Sequence, residues 1–282
     1  MSVRHDAVRA YLVLTGRGRT WRSAEALDAA VQRRAAWPAT PPKPSPGLVV
    51  AATRDDGWPV VRLVPPRATG SVVALHGGGY VFGPEAQHWA FWRTIALATG
   101  RTVVVPLYRL APEGTAAETV PHVARLTGDL AGEGPVALLG DSAGGGMALA
   151  AAQLLATEGV RPPLLLSAPW LDGGVTAPWT GRRDPWLAAP GLRRAADLYR
   201  GELPVEHPFV SPLLGDLGGL GPIVVASGTR DVLHRDALRL EERSPSPVRL
   251  LVGEGLLHNW PLLPIPEAGA ARRAFVDALR LR

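Results

Sequence analysis

Val136-Ala137-Leu138-Leu139-Gly140-Asp141-Ser142-Ala143-Gly144-Gly145-Gly146-Met147-Ala148-Leu149-Ala150 reads as an apolar run, a tight turn and a helix rich in alanine and leucine. Strand, sharp turn and helix in that order are the setting in which a Gly-x-Ser-x-Gly pentapeptide, here Gly140–Gly144, forms a nucleophile elbow. Glycine at either flank avoids side chains that would clash with the neighbouring strand and helix. The turn presents Ser142 at a helix N-terminus, where free N–H groups and the helix dipole favour an oxyanion. The competing reading is a plain strand-to-helix turn with a capping serine, and the pentapeptide alone does not separate the two.

On both sides of the elbow the chain carries short apolar, β-branched runs: Leu48–Ala52, Val60–Val64, Val72–Leu75, Val103–Leu107, Leu164–Ser167, Ile223–Ser227 and Val248–Val252. With the elbow strand they make eight. Helical stretches lie between them, including Trp89–Ala98, Gly145–Ala156, Asp236–Arg243 and Glu267–Leu281. Uninterrupted apolar strands alternating with helices predict a mostly parallel sheet covered on both faces, and the alternating pair at the start suits an antiparallel edge. The fold class is therefore α/β, doubly wound. Ahead of this region, Asp6–Leu14 and Ser23–Arg34 are helical in pattern, with Ser23 as a cap. Five prolines between Pro38 and Pro46 then mark a stiff connector. A strandless insertion with Trp179, Trp186 and a helix over Leu192–Tyr199 separates Asp172 from Pro212. The division is 1–46 for N-terminal helices and connector, and 47–282 for an α/β core interrupted at about 173–211.

Composition removes several function classes. The 282 residues are 46% hydrophobic and 20% charged, enough apolar material for a sizeable core. There is no cysteine, which excludes disulfides, thiolate nucleophiles and cysteine-ligated metals. Lys43 is the single lysine, so there is no Gly-Lys-Ser/Thr phosphate loop. The net charge of +5 comes from scattered arginines, a solvated surface and not a nucleic-acid-binding stripe. Gly132-Glu133-Gly134-Pro135-Val136-Ala137 matches a dinucleotide pattern but precedes a strand, so no cofactor is expected. The histidines are spread without metal-ligand spacing, so no metal is expected. Neither a signal segment nor a membrane-spanning run is evident, which leaves a cytoplasmic location as the expectation.

His76-Gly77-Gly78-Gly79 follows the strand Val72–Leu75, and consecutive glycines there leave backbone N–H groups bare. In a serine hydrolase such a loop, with the N–H of Ala143 after the nucleophile, donates to the oxyanion; the competing reading is a flexible glycine turn. The role expected of His76 is structural. A nucleophile in the order Ser…Asp…His needs its acid after a late strand and its base after the last. Asp231 follows Ile223–Ser227 and His258 follows Val248–Val252. The competitors are weaker: Asp236 falls inside a helix, His234 shares the Asp231 loop, His207 lies in the insertion, and His5, His88 and His122 are expected on helical surfaces.

His76-Gly77-Gly78-Gly79-Tyr80, Tyr108-Arg109-Leu110-Ala111-Pro112-Glu113 and Gly140-Asp141-Ser142-Ala143-Gly144-Gly145, in that order, resemble the bacterial hormone-sensitive-lipase-like carboxylesterases. The stretches Ser167–Asp172 and Asp231–Asp236 match as well. The resemblance runs from about Leu48 to the C-terminus. It implies an α/β-hydrolase fold, a triad of Ser142, Asp231 and His258, and an oxyanion hole from the N–H groups of Gly78, Gly79 and Ala143. It also implies that the N-terminal helices and the insertion form a helical cap above Ser142, and that homodimers form. The chain departs from the pattern in a shorter stretch from Glu113 to Gly140, implying a trimmed core helix. It departs again in Gly253, Asn259 and Trp260, implying a reshaped pocket beside His258.

The reaction expected is hydrolysis of small to medium apolar esters through an acyl-enzyme. A lyase, cyclase or deacylase step on a specialised metabolite uses the same triad, and a ligand receptor keeps the same fold without chemistry. The expected partner is a small-molecule ester.

Overall fold

The computed structural model describes residues 1–34, 47–178 and 184–280. The proline-rich connector and Trp179 lie outside them. Eight strands form one sheet: β1 (Val49–Asp55), β2 (Trp58–Val64), β3 (Ser71–Leu75), β4 (Thr102–Pro106), β5 (Val136–Asp141), β6 (Leu164–Ser167), β7 (Ile223–Gly228) and β8 (Val248–Gly253). Their spatial order is β1-β2-β4-β3-β5-β6-β7-β8. The β1–β2 and β2–β4 pairs are antiparallel and the rest are parallel. This is the α/β-hydrolase fold, with the antiparallel edge where the alternating runs lie.

The helices are α1 (Val3–Leu14), α2 (Ala24–Arg33), α3 (Ala86–Thr99), α4 (Ala116–Glu133), α5 (Ala143–Thr157), α6 (Ala189–Arg200), α7 (His234–Arg243) and α8 (Ala268–Arg280). Successive residues of β3 point to opposite faces. Val73 and Leu75 join a core with α4, α5 and α7, while Val72 and Ala74 join a second core with α3 and α8. Burial on both faces is what makes the central strands apolar throughout.

Ser23 caps α2, its Oγ accepting from the Ala26 N–H at 3.1 Å. A short 3-10 helix, Arg17–Trp21, joins α1 to α2. The α2 helix packs on α6, and Gly191 at the start of α6 sits directly on the Trp21 backbone.

One sequence expectation needs correction, and one helix is absent from the stretches read off the pattern. Between Glu113 and Gly140, α4 runs for 18 residues, the longest helix among the described residues. Pro121 inside it removes one backbone hydrogen bond. The apolar row Val120, Val123, Ala124 and Leu130 keeps it helical by packing in the core. His5, His88 and His122 are not on helical surfaces. His5 is fully buried and His88 nearly so, while the His122 ring stacks on Trp58 with centroids 3.8 Å apart and its Nε2 reaches Asp55 at 2.8 Å.

Candidate active site

Ser142 lies between β5 and α5 at φ 52°, ψ −119°. That backbone is strained for an L-residue, by about 1–3 kcal/mol, and persists because its surroundings over-determine it. The Ser142 N–H donates to the Ser167 carbonyl, and its own carbonyl accepts from Trp170, both at 2.9 Å. Close packing explains the flanking glycines: a Cβ at Gly144 would collide with the Leu75 carbonyl of β3, and one at Gly140 with the first turn of α5.

Asp231 follows β7 and is fully buried. Its Oδ1 accepts from the Leu233 N–H at 2.9 Å, and its Oδ2 accepts from His258 Nδ1 at 2.7 Å. That bond leaves Nε2 of the neutral ring as the proton acceptor. Burial by itself would lower the His258 imidazole. Asp231, with Asp184 and Asp141 behind it, outweighs burial and holds it above its ordinary value. His258 and Ser142 line the same cleft, of about 280 Å³, together with Gly78, Gly79, Trp21 and Trp186.

Gly78 and Gly79 take φ values of 110° and 62°, so the backbone after β3 turns in a way side chains resist. A Cβ on Gly79 would strike the Trp21 ring. Ala143 is the first residue of α5, where its N–H has no partner within the helix. His76 holds this loop: its Nδ1 bonds the Gly77 carbonyl at 2.7 Å, Tyr108 donates to the His76 carbonyl at 2.8 Å, and the two rings stack at 4.1 Å. Burial pushes its imidazole down to about 3, which keeps it neutral.

The sequence reading passed over Asp141, which ties the loops together. Its Oδ1 accepts from the Gly77 N–H at 3.0 Å, and its Oδ2 accepts from Asn259 Nδ2 at 2.7 Å and from His88 Nε2 at 3.2 Å. Burial alone would raise its carboxyl. The His88 contact and the Gly77 N–H overcome that and hold it below the usual range. Asn259 sits at φ 54°, ψ 30°, a left-handed position that asparagine tolerates better than most residues. Its side chain is fixed by Ser167, whose Oγ donates to Oδ1 at 3.2 Å. Asn259 therefore bonds the histidine loop to the elbow. The Trp260 indole fills the space next to Gly253.

The remaining competitors stand apart. Asp236 sits in α7 and accepts from the Leu171 and Asp172 N–H groups at 2.9 and 3.1 Å. His234 bonds Ser227 Oγ at 3.0 Å, and His207 stacks edge-on against Phe209.

A sequence family described as alpha/beta hydrolase fold matches residues 72–262. A triacylglycerol lipase of Mycobacterium tuberculosis is 37% identical over 227 residues, which are 77% of this chain and 48% of that protein. The chain thus spans about half the length of that relative. An acetyl-hydrolase of Streptomyces hygroscopicus is 33% identical over 210 residues, 69% of this chain and 70% of that protein. Among solved structures, an esterase from the bacterial hormone-sensitive lipase family superposes with a TM-score of 0.81 at 28% identity, covering 99% of this chain and 98% of that one.

Proposed function

The chain belongs to the hormone-sensitive-lipase-like family of α/β hydrolases, and on that premise we propose that it is a serine carboxylesterase acting on small to medium apolar esters. The observation that supports this most is the meeting in one cleft of Ser142 on its strained elbow, the Asp231-bonded His258 and the backbone of Gly78 and Gly79. The relatives' names, acetyl-hydrolase and triacylglycerol lipase, are both those of ester-cleaving enzymes.

In this reading His258 Nε2 takes the Ser142 Oγ proton as the oxygen attacks the ester carbonyl. Asp231 fixes the tautomer and stabilises the imidazolium. The N–H groups of Gly78, Gly79 and Ala143 hold the oxyanion, an interaction worth about 10²–10³ in kcat for one donor. His258 returns its proton to the leaving alkoxide, and the acyl group is then released by water activated in the same way. No cofactor takes part in these steps.

The N-terminal helices and the insertion act as the cap. Trp21 brings an apolar ring over Gly79, packs edge-on to Phe82 at 6.0 Å and lines the cleft together with Trp186. A p-nitrophenyl ester panel tests this reading: wild type should hydrolyse the acetate and butyrate and discriminate against long acyl chains. Trp21→Ala should raise the kcat/KM ratio of octanoate to acetate about tenfold, the scale of removing a few methylenes' worth of steric exclusion. An unchanged ratio would remove Trp21 from the substrate wall.

No helix among the described residues is long and apolar enough to cross a membrane.

A further inference from the structure

One buried carboxylate near the site has no part in the mechanism above. Asp184 begins the described part of the insertion after residues 179–183 and is only 8% exposed. Its Oδ1 accepts from the Trp186 and Leu187 N–H groups at 2.8 and 3.1 Å, and its Oδ2 accepts from the Val232 N–H at 3.1 Å. Val232 is the residue after Asp231. Two carboxylates therefore grip one turn, Asp231 through the Leu233 N–H and Asp184 through the Val232 N–H. The segment that Asp184 organises carries Trp186, whose ring stands edge-on to the His258 ring, with centroids 5.7 Å apart at 84°.

We propose that Asp184 is a positioning residue for the reaction: its carboxylate joins the cap segment to the Asp231 turn, so that His258 is held between Asp231 on one side and Trp186 on the other. This rests on the esterase reading, in which His258 is the base. It adds a connection through which the cap acts on the chemistry as well as on substrate fit.

The electrostatics run the same way. Charges facing His258 come from Asp231 on the β7–α7 turn, Asp184 on the insertion and Asp141 at the end of β5. Beyond Asp184, a second cavity is lined by Arg9 and Arg22 of the N-terminal segment and by Arg230. Burial first, and then the charge of Asp231, push the Asp184 carboxyl up to about 6. It therefore becomes ionised over the range in which a histidine titrates. Once charged, it favours the imidazolium form of His258.

The sign follows. Activity rises with pH as His258 loses its proton, and removing the Asp184 charge lowers the His258 pKa. In Asp184→Asn the acid limb of kcat/KM should move to lower pH. Asp184→Ala, which also strips the acceptor from three backbone N–H groups, should lose about ten- to a hundredfold in kcat, the scale of misplacing a reacting group. KM for p-nitrophenyl acetate should change little.

The experiment measures pH profiles of both variants on p-nitrophenyl acetate, below their melting temperatures, beside an NMR titration of the His258 ring in wild type and Asp184→Asn. A His258 pKa lowered in the variant, with the acid limb following it, is the expected result. An unmoved His258 pKa, or wild-type kcat in Asp184→Ala despite a lowered melting temperature, would reduce Asp184 to a structural staple and overturn the proposal. If wild type cleaved no ester while the NMR shift appeared, the esterase reading would fail and the Asp184–His258 coupling would stand.

Discussion

Ser142→Ala is expected to lower ester turnover by about four to six orders of magnitude while leaving the fold in place, the scale of losing a triad nucleophile. The prediction follows from geometry more than from the motif. Ser142 is the residue that the β5–α5 turn presents to the cleft, and its strained backbone is held by hydrogen bonds to Ser167 and Trp170 that do not involve its side chain. Truncation at Cβ therefore removes the nucleophile without touching the scaffold. Circular dichroism should match wild type, and the residual rate should come from the amides of Gly78, Gly79 and Ala143 acting on a bound ester. Near-normal turnover in this variant would mean that His258 works as a base without an acyl-enzyme, the behaviour of a lyase or cyclase.

Asp231→Asn should cut kcat roughly 10⁴-fold, the loss expected when the acid no longer selects the histidine tautomer. An asparagine amide facing Nδ1 either repels its N–H or donates to Nδ1 and so places the ring proton on Nε2, which then cannot accept one from Ser142. The control is Asp236→Asn, five residues on. Asp236 faces the Leu171–Asp172 backbone and not His258, so kcat should change less than about threefold. Its signature belongs to stability. Burial pushes the Asp236 carboxyl up to about 7 from an ordinary 3.8. Its contribution to stability is therefore complete below pH 3.8 and is lost as pH rises through about 7. Asp236→Asn should flatten the wild-type fall in melting temperature over that window. Reversed effects of the two substitutions on kcat, at equal melting temperatures, would contradict the assignment of the acid.

How much of this could be read in advance depends on where the signal sits. The strands were legible because burial on both faces makes them continuous apolar runs, and the observed β6 matches Leu164–Ser167 residue for residue. The elbow and the glycine loop were legible because their backbones exclude side chains, which leaves glycine as a visible mark. Helix α4 was hidden by Pro121, Gly128 and Gly132, all poor helix formers. Packing against α5, β5 and α6 overrides them. The distant partners of His88 and Asp184 left no local mark. A polar side chain satisfied by a residue 53 positions away, as His88 is by Asp141, or 48 away, as Asp184 is by Val232, carries nothing in its neighbours that announces the pairing. Asn259 is intermediate. Asparagine where the family pattern has glycine suggests a left-handed turn, but its bond to Asp141 is a tertiary fact.

In the proposed reaction, ester cleavage runs through Ser142 Oγ as a covalent acyl carrier. Peptide mass spectrometry after titration with a small fluorophosphonate tests it most directly, with p-nitrophenyl acetate hydrolysis followed in the same sample. One adduct per chain is expected, on the peptide carrying Ser142, with activity lost in proportion to labelling. An adduct on another residue, or hydrolysis that persists at full labelling of Ser142, would contradict it.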